Sequence, residues 1–299
     1  MHKHFIDLKD IETKDLRAIL NCARQVKSNP LDYSKTMHQK SLGLLFEKRS
    51  LRTKISFTMA MKKMGGSVIE LDGPSIGFGS RESDSDLLHS LSQYLDGLVI
   101  RNDDHDKIKQ LSGFNYMPII NGLSNLSHPC QILSDILTIE ELKGKIDDQL
   151  ITWCGDINNV CTSLLQAAQV FGFKLNVSAP ASILKDKEAL LNVYNSGNIA
   201  NIVDPVSAMK GADCVMTDRW VSMGEKSSKQ KILLMQGYQI NTQLMRHAKE
   251  DAIFMHCLPA HRNQEVTDEV IDSKSSVVWQ QALNRMYVQQ GILQFVLTG

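Results

Sequence analysis

Short apolar runs rich in Leu, Ile and Val recur along the chain, and the stretches between them carry their apolar residues at helical spacing. That alternation constrains the fold more than any other feature. Strands alternating with helices build parallel sheets, because a parallel pair needs a crossover connection. In the first half, Leu42–Phe46 leads through Glu47-Lys-Arg-Ser50 into a helix whose apolar positions include Leu51, Ile55 and Met59, and Gly65-Gly66 ends it. Further strands are expected at 67–71, 97–100 and 117–120. Ser127 is then expected to cap a helix with Pro129 in its first turn and Ile132, Ile136 and Ile139 facing inward. In the second half, strands at 150–154, 174–178, 199–203, 213–217 and 253–256 alternate with helices, most clearly 158–171. A last strand at 276–279 is expected before a terminal helix over 280–297. The expected architecture is α/β, with two doubly wound parallel sheets.

At 299 residues the chain is long enough for two domains with a cleft between them. Lys+Arg and Asp+Glu are both 33, so no bulk charge draws the protein to nucleic acid or anionic membrane, and any anion site must be local. The six cysteines are scattered without a C-x-x-C pair, which points to reduced thiols rather than a disulfide framework or structural zinc. The opening Met1-His-Lys-His-Phe-Ile-Asp-Leu-Lys-Asp10 is charged where a signal peptide is apolar, and no apolar run reaches the roughly 18 residues of a membrane helix. A cytoplasmic protein is expected.

Ligands of open parallel sheets collect at the carboxyl ends of strands. Five segments stand there. Ser50-Leu-Arg-Thr53 combines a hydroxyl-bearing helix start, backbone N–H groups and a guanidinium, with Lys48, Arg49 and Lys54 adjacent. It reads as a phosphate site or as an ordinary capped helix with a basic end. His128-Pro-Cys-Gln131 places two donors three residues apart, suited to one ligand oxygen or to a merely satisfied histidine. Gly155-Asp-Ile-Asn-Asn159 follows a strand but lacks the later glycines of a dinucleotide turn. Asp218-Arg-Trp-Val-Ser-Met-Gly224 sets an acid before a small-residue turn whose N–H groups suit a carboxylate. In His256-Cys-Leu-Pro-Ala-His261, Cys257 reads as a nucleophile, a polar contact, a metal ligand or an inert buried thiol, and no obvious further ligands complete a zinc site. Separately, Gly73-Pro-Ser-Ile-Gly77 matches the nucleophile elbow of α/β-hydrolases around Ser75. Pro74 and the polar loop after it speak against a strand running straight into a helix there.

Taken together and in this order, Ser50-x-Arg-Thr53, His128-Pro-x-Gln131, Gly155-Asp-x-Asn-Asn159, Asp218-x-Trp-x-Ser-Met-Gly224 and His256-Cys-Leu-Pro259 resemble the ornithine carbamoyltransferases, over nearly the whole chain. The first two motifs are shared with aspartate carbamoyltransferases and concern carbamoyl phosphate. The last two concern the second substrate. The resemblance implies a carbamoyl-phosphate domain over 1–134 with the terminal helix, 281–299, crossing back onto it, and an ornithine domain over 135–280. It implies that Ser50, Leu51, Arg52, Thr53, Arg101, His128, Gln131, Cys257, Leu258 and Arg285 hold carbamoyl phosphate. Of these, Arg52, Arg101, His128 and Cys257 carry the catalysis. On the ornithine side it implies Asn159, Asp218, Ser222 and Met223. It further implies a homotrimer, arginine metabolism, and neither cofactor nor metal. Leu51 stands where the family often has threonine, and Gly77 where relatives commonly place a polar residue reaching a neighbouring subunit. A non-catalytic relative that keeps the pocket, and a serine hydrolase using Ser75, are the other readings.

Overall fold

The computed structural model describes residues 1–47, 50–76, 82–221 and 229–298, without the side chains of Pro74 and Ser75. The chain divides into two compact units, Met1–Ser134 with Asn284–Gly299, and Asp135–Leu283.

Unit 1 opens with α1 (Thr13–Ser28), whose Leu16, Ile19, Leu20, Ala23 and Val26 form one buried face. Then come β1 (Ser41–Phe46), α2 (Leu51–Lys63), β2 (Ser67–Asp72), the single turn α3 (Gly73–Ile76), α4 (Asp84–Leu91), β3 (Gly97–Arg101), α5 (His105–Gly113), β4 (Ile119–Leu123) and the start of α6 (Pro129–Lys143). The four strands are parallel in the order β2-β1-β3-β4. β3 is buried at every residue, as expected of a strand covered on both faces, while the edge strand β2 is largely exposed. Leu45, Leu88, Leu98, Ile100, Ile108 and Ile119 centre the core. Gly65 ends α2 in the left-handed region at φ 84°, and a Cβ there would stand 2.7 Å from the Ser34 carbonyl oxygen.

Unit 2 continues through β5 (Leu150–Cys154), α7 (Asn159–Phe171), β6 (Lys174–Ser178), α8 (Ala181–Asp186), α9 (Glu188–Tyr194), β7 (Ile199–Ile202), α10 (Pro205–Met209), β8 (Cys214–Thr217), α11 (Lys229–Met235), α12 (Thr242–Met245), β9 (Ile253–His256), α13 (Asp268–Ile271) and most of the first half of α14 (Val278–Leu297). Its five parallel strands run β7-β6-β5-β8-β9. Cys154, Val215, Trp220, Met235, Phe254 and Val278 belong to one core cluster there. Among the described residues no helix is long and apolar enough to cross a membrane.

Strand order reverses between β1 and β3 in unit 1, and between β5 and β8 in unit 2. Crossovers leave such points toward opposite faces of the sheet and open a crevice at the strand ends. Of the segments singled out in the sequence, Ser50–Thr53 follows β1, Gly155–Asn159 follows β5 and Asp218 follows β8, whereas His128 follows the edge strand β4 and Cys257 the edge strand β9.

Four local expectations change. Ser276–Trp279 is not a strand. Ser276 makes one bridge to Phe254 and α14 begins at Val278, so the β-branched Val277-Val278 pair is overridden by helix packing. Ser127 is not the helix cap, because α6 starts at Pro129 and the Ser127 hydroxyl accepts instead from Asn121 Nδ2 at 3.0 Å. Leu51, Ile55 and Met59 form the exposed stripe of α2, which buries Thr53, Phe57, Ala60 and Met61. And β2 does run directly into the helical turn Gly73–Ile76, in spite of Pro74.

Candidate active site

In unit 1 the site grows from the start of α2. Ser50 occupies the N-cap position with extended backbone, yet its hydroxyl caps nothing. It accepts from Arg101 Nη1 at 2.9 Å. The first-turn N–H groups of α2 are therefore left uncapped by Ser50, and no acidic residue in that turn offsets the positive end of the helix dipole. Such a terminus binds phosphate. Arg52 is half-buried within this turn and makes no ion pair with the described residues, whereas Lys54 is held by Glu70 at 2.5 Å. Thr53 is buried and accepts from Arg285 Nη2 at 2.8 Å. Arg101 closes β3. Its guanidinium and that of Arg285 are both buried, so their charge is far less screened than at a surface.

His128 follows β4 and immediately precedes α6, and Gln131 lies in the first turn; both are buried. Burial, and then the positive charges of Arg285 and Arg101, hold the His128 imidazole well below its usual range. It is a neutral side chain at physiological pH, one N–H donor and one acceptor. Ser50, Arg52, Thr53, Arg101, His128, Gln131 and Arg285 thus belong to one unit, at the ends of β1, β3 and β4 and on α14. Leu51 sits at the first position of α2 and is 68% exposed, so what it presents at this terminus is its backbone N–H.

In unit 2 the organising group is Asp218, just beyond β8. Its Oδ2 accepts from Asn158 Nδ2 at 2.7 Å, and its Oδ1 lies 3.1 Å from Cys257 Sγ. Asn158 also caps α7, its Oδ1 accepting the N–H groups of Val160 and Cys161 at 3.0 and 3.1 Å. One residue thereby fixes both a helix start and the carboxylate. Asn159 is the first residue of that helix. Ahead of it, Gly155 turns with φ 142°, where a Cβ would meet Thr217 Oγ1 at 3.0 Å, so the approach of the turn to β8 needs glycine.

The corner after β9 is held from behind. His256 Nδ1 accepts the Leu258 N–H at 2.9 Å, which places the neutral ring's proton on Nε2, 3.2 Å from Glu265 Oε1. The Oε1 atom also accepts the His261 N–H. From the other side, Gln281 Oε1 accepts the His256 N–H at 3.0 Å while its Nε2 donates to Asp135 at 2.9 Å. Leu258 has φ 56°, a left-handed backbone uncommon for leucine. Ser222, Met223 and Gly224 lie outside the described residues, as do Gly77 and the side chain of Ser75.

Asp218, His256 and Cys257 bring three potential metal ligands within 4.8 Å of one another, a cluster that the sequence disperses. Both ring nitrogens of His256 are already engaged, which leaves two donors where zinc takes three or four from protein. The arrangement suits an ammonium or amine better, with a carboxylate to accept its N–H groups and a thiol beside it. Sequence reasoning missed Asn158, Glu265 and Gln281. Only Asn158 carried a signal, as an Asn immediately before an apolar helix. Expected partners Cys257 and Leu258 fall in unit 2 with Asp218, while the rest of the carbamoyl-phosphate set falls in unit 1.

Residues 3–141 match the carbamoyl-P binding domain of the aspartate/ornithine carbamoyltransferases, and residues 147–296 match their Asp/Orn binding domain. The ornithine carbamoyltransferase of Nitrobacter winogradskyi is 43% identical over 99% of this chain and 97% of its own length. That of Rhodopseudomonas palustris is 44% identical, over 97% and 96%. Among solved structures, the ornithine carbamoyltransferase of Pyrococcus furiosus superposes with a TM-score of 0.91 at 36% identity, covering 100% of this chain and 98% of that one. The anabolic enzyme of Campylobacter jejuni gives 0.90 at 31%, covering 99% and 100%. With the match spanning both units, the chain belongs to the aspartate/ornithine carbamoyltransferase family of enzymes.

Proposed function

We propose that the protein is an ornithine carbamoyltransferase, converting carbamoyl phosphate and L-ornithine to L-citrulline and phosphate. The observation that carries this choice is Asp218, held between Asn158 and Cys257 at the end of β8. A carboxylate there recognises a diamino acid, whose ammonium and amine groups donate to it. It would repel the side-chain carboxylate of aspartate. Ser222 and Met223, which the family resemblance assigns to the α-carboxylate of ornithine, and Asn159 complete that side.

Carbamoyl phosphate is assigned to unit 1. The phosphate sits on the N–H groups of Ser50–Thr53 at the start of α2 with Arg52, and His128 and Gln131 address the carbamoyl group. Attack by the neutral δ-amine forms the N–C bond and develops negative charge on the carbamoyl oxygen, which Arg101, His128 and Thr53 stabilise. The C–O bond to phosphate then breaks, and the guanidiniums and the α2 dipole offset the charge on the leaving group. The leaving phosphate takes up the amine's proton. A lysine-like amine has a reference pKa of about 10.4, so its neutral form must be selected on binding, and Cys257 with Asp218 orients it. Arg285 braces Thr53, and Leu258 shapes the corner beside Cys257. No cofactor enters this chemistry. A homotrimer, a cytoplasmic location and a place in arginine metabolism belong to the same proposal, supported by the likeness of the whole chain to its relatives.

The test is a panel of carbamoyl phosphate with ornithine, N-acetylornithine, putrescine or aspartate in the presence of a chelator, reading the carbamoylated product directly. Citrulline should be the dominant product. Carbamoylated aspartate or putrescine as the main product, or activity only with added divalent metal, refutes the assignment.

A further inference from the structure

A second constellation, separate from the residues assigned to the ligands, joins Asp7, His105 and Ser124 in unit 1. All three are buried, at 0%, 4% and 0% exposure. His105 Nε2 lies 3.0 Å from Asp7 Oδ2, and His105 Nδ1 lies 2.8 Å from Ser124 Oγ. Lys109 Nζ stands 3.6 Å from the same carboxylate oxygen. The order carboxylate, imidazole, hydroxyl is that of a hydrolase triad. A nucleophile must be reachable, however, and the Ser124 oxygen is shielded and already accepts the N–H groups of Leu126 and Ser127, at 3.3 and 3.1 Å. With its acceptor capacity used by backbone, the hydroxyl's proton faces His105 Nδ1, and the Ser127 carbonyl is the longer alternative at 3.4 Å. Nε2–H then points at Asp7. Each donor in the chain has its acceptor.

What this chain of bonds holds is the five-residue connection between β4 and α6, the last residue of which is His128. Ser124 closes the turn a second time through its own N–H, which donates to the Ser127 carbonyl at 2.9 Å. Asn121 ties Ser127 Oγ to the Ile6 carbonyl, at 3.0 and 3.1 Å, so both ends of the turn are fastened to the N-terminal segment 6–7. An ångström of freedom in this turn would be an ångström at the imidazole next along the chain, enough to spoil a directed hydrogen bond.

We propose that Asp7, His105 and Ser124 are positioning residues, a buried relay that aims His128 at the carbamoyl group. This rests on the reading of His128 as the carbamoyl contact. Two ligands separate the roles by calorimetry, since inorganic phosphate uses only the α2 terminus whereas carbamoyl phosphate also needs His128. The wild type should prefer carbamoyl phosphate, and His128→Ala should erase most of that preference. Ser124→Ala and His105→Asn, shown folded by thermal melting, should each cut the preference on the order of tenfold, as for one lost hydrogen bond, with phosphate affinity unchanged. Asp7→Asn keeps an oxygen for Nε2–H and should retain most of it. His105→Asn leaves the backbone bonds of Ser124 in place and serves if Ser124→Ala does not fold. An intact preference in the folded relay variants, or equal loss of both ligands, overturns the proposal. An intact preference in His128→Ala overturns the reading of His128, and the relay's role with it.

Discussion

Removing the Glu265 carboxylate should loosen the corner that carries Cys257 and Leu258, and the cost can be worked from its contacts. Both pass through one oxygen, which takes His256 Nε2 at 3.2 Å and the His261 N–H at 2.5 Å, with the Glu265 and His256 side chains fully shielded from solvent. Glu265→Ala leaves two donors without an acceptor, at about 1–3 kcal/mol each, hence roughly 2–6 kcal/mol together. The range brackets the 3–5 kcal/mol or so typical of breaking a buried pair. At about 2–4 °C per kcal/mol, the melting transition should fall on the order of 10 °C. Glu265→Gln is the informative comparison. Its Oε1 can accept both N–H groups, but its amide nitrogen would stand where Oε2 has no hydrogen-bond partner, so one new unsatisfied donor costs about 1–3 kcal/mol. Calorimetric melting should rank wild type above Gln above Ala. Initial rates at saturating carbamoyl phosphate should follow that order, because an unanchored His256 no longer holds the Leu258 N–H. An alanine variant melting within about a degree of wild type, or a glutamine variant less stable than alanine, refutes the reasoning.

Arg52→Ala should weaken carbamoyl phosphate binding by about 1.5–3 kcal/mol, roughly ten- to a hundredfold, because a charge-assisted contact to a dianion is lost; unchanged affinity by calorimetry would remove Arg52 from the site. Asp218→Asn should raise the KM for ornithine or lower kcat far more than it alters carbamoyl phosphate binding, and equal loss for both would point to misfolding instead. His128 has a folded pKa depressed well below 6.5, so its contribution to stability is fully present above about pH 6.5 and is lost as pH falls below it, by up to about 1.4 kcal/mol per pH unit. Urea titrations at about pH 7.5 and about pH 5 should show a flatter pH dependence in His128→Asn than in wild type, and identical slopes would sink the account.

Much of this was legible without coordinates, and the reason is that the governing signals are local. The period of apolar residues marks strand and helix, and Gly65 and Pro129 mark helix ends. Strand ends in turn mark where ligands gather, so Ser50, His128, Asp218 and Cys257 could be picked out together. What only the tertiary structure decided is which partner each polar group takes. Ser50 looks like a cap, but its hydroxyl is claimed by Arg101 across 51 residues of chain, and that diversion leaves the first-turn N–H groups of α2 uncapped by it. Ser127 likewise goes to Asn121. The apolar stripe Leu51, Ile55 and Met59 faces outward because the opposite face of α2, with Phe57 and Met61, meets the core. Cys257 and Asp218 are 39 residues apart, Arg285 and Thr53 232, and His105 and Asp7 98. A buried donor or acceptor must find a partner or lose its hydration energy, and that choice exists only once the chain has closed around it. Spacing in the sequence therefore determines which elements form and where a site can lie. Burial determines which atoms meet there.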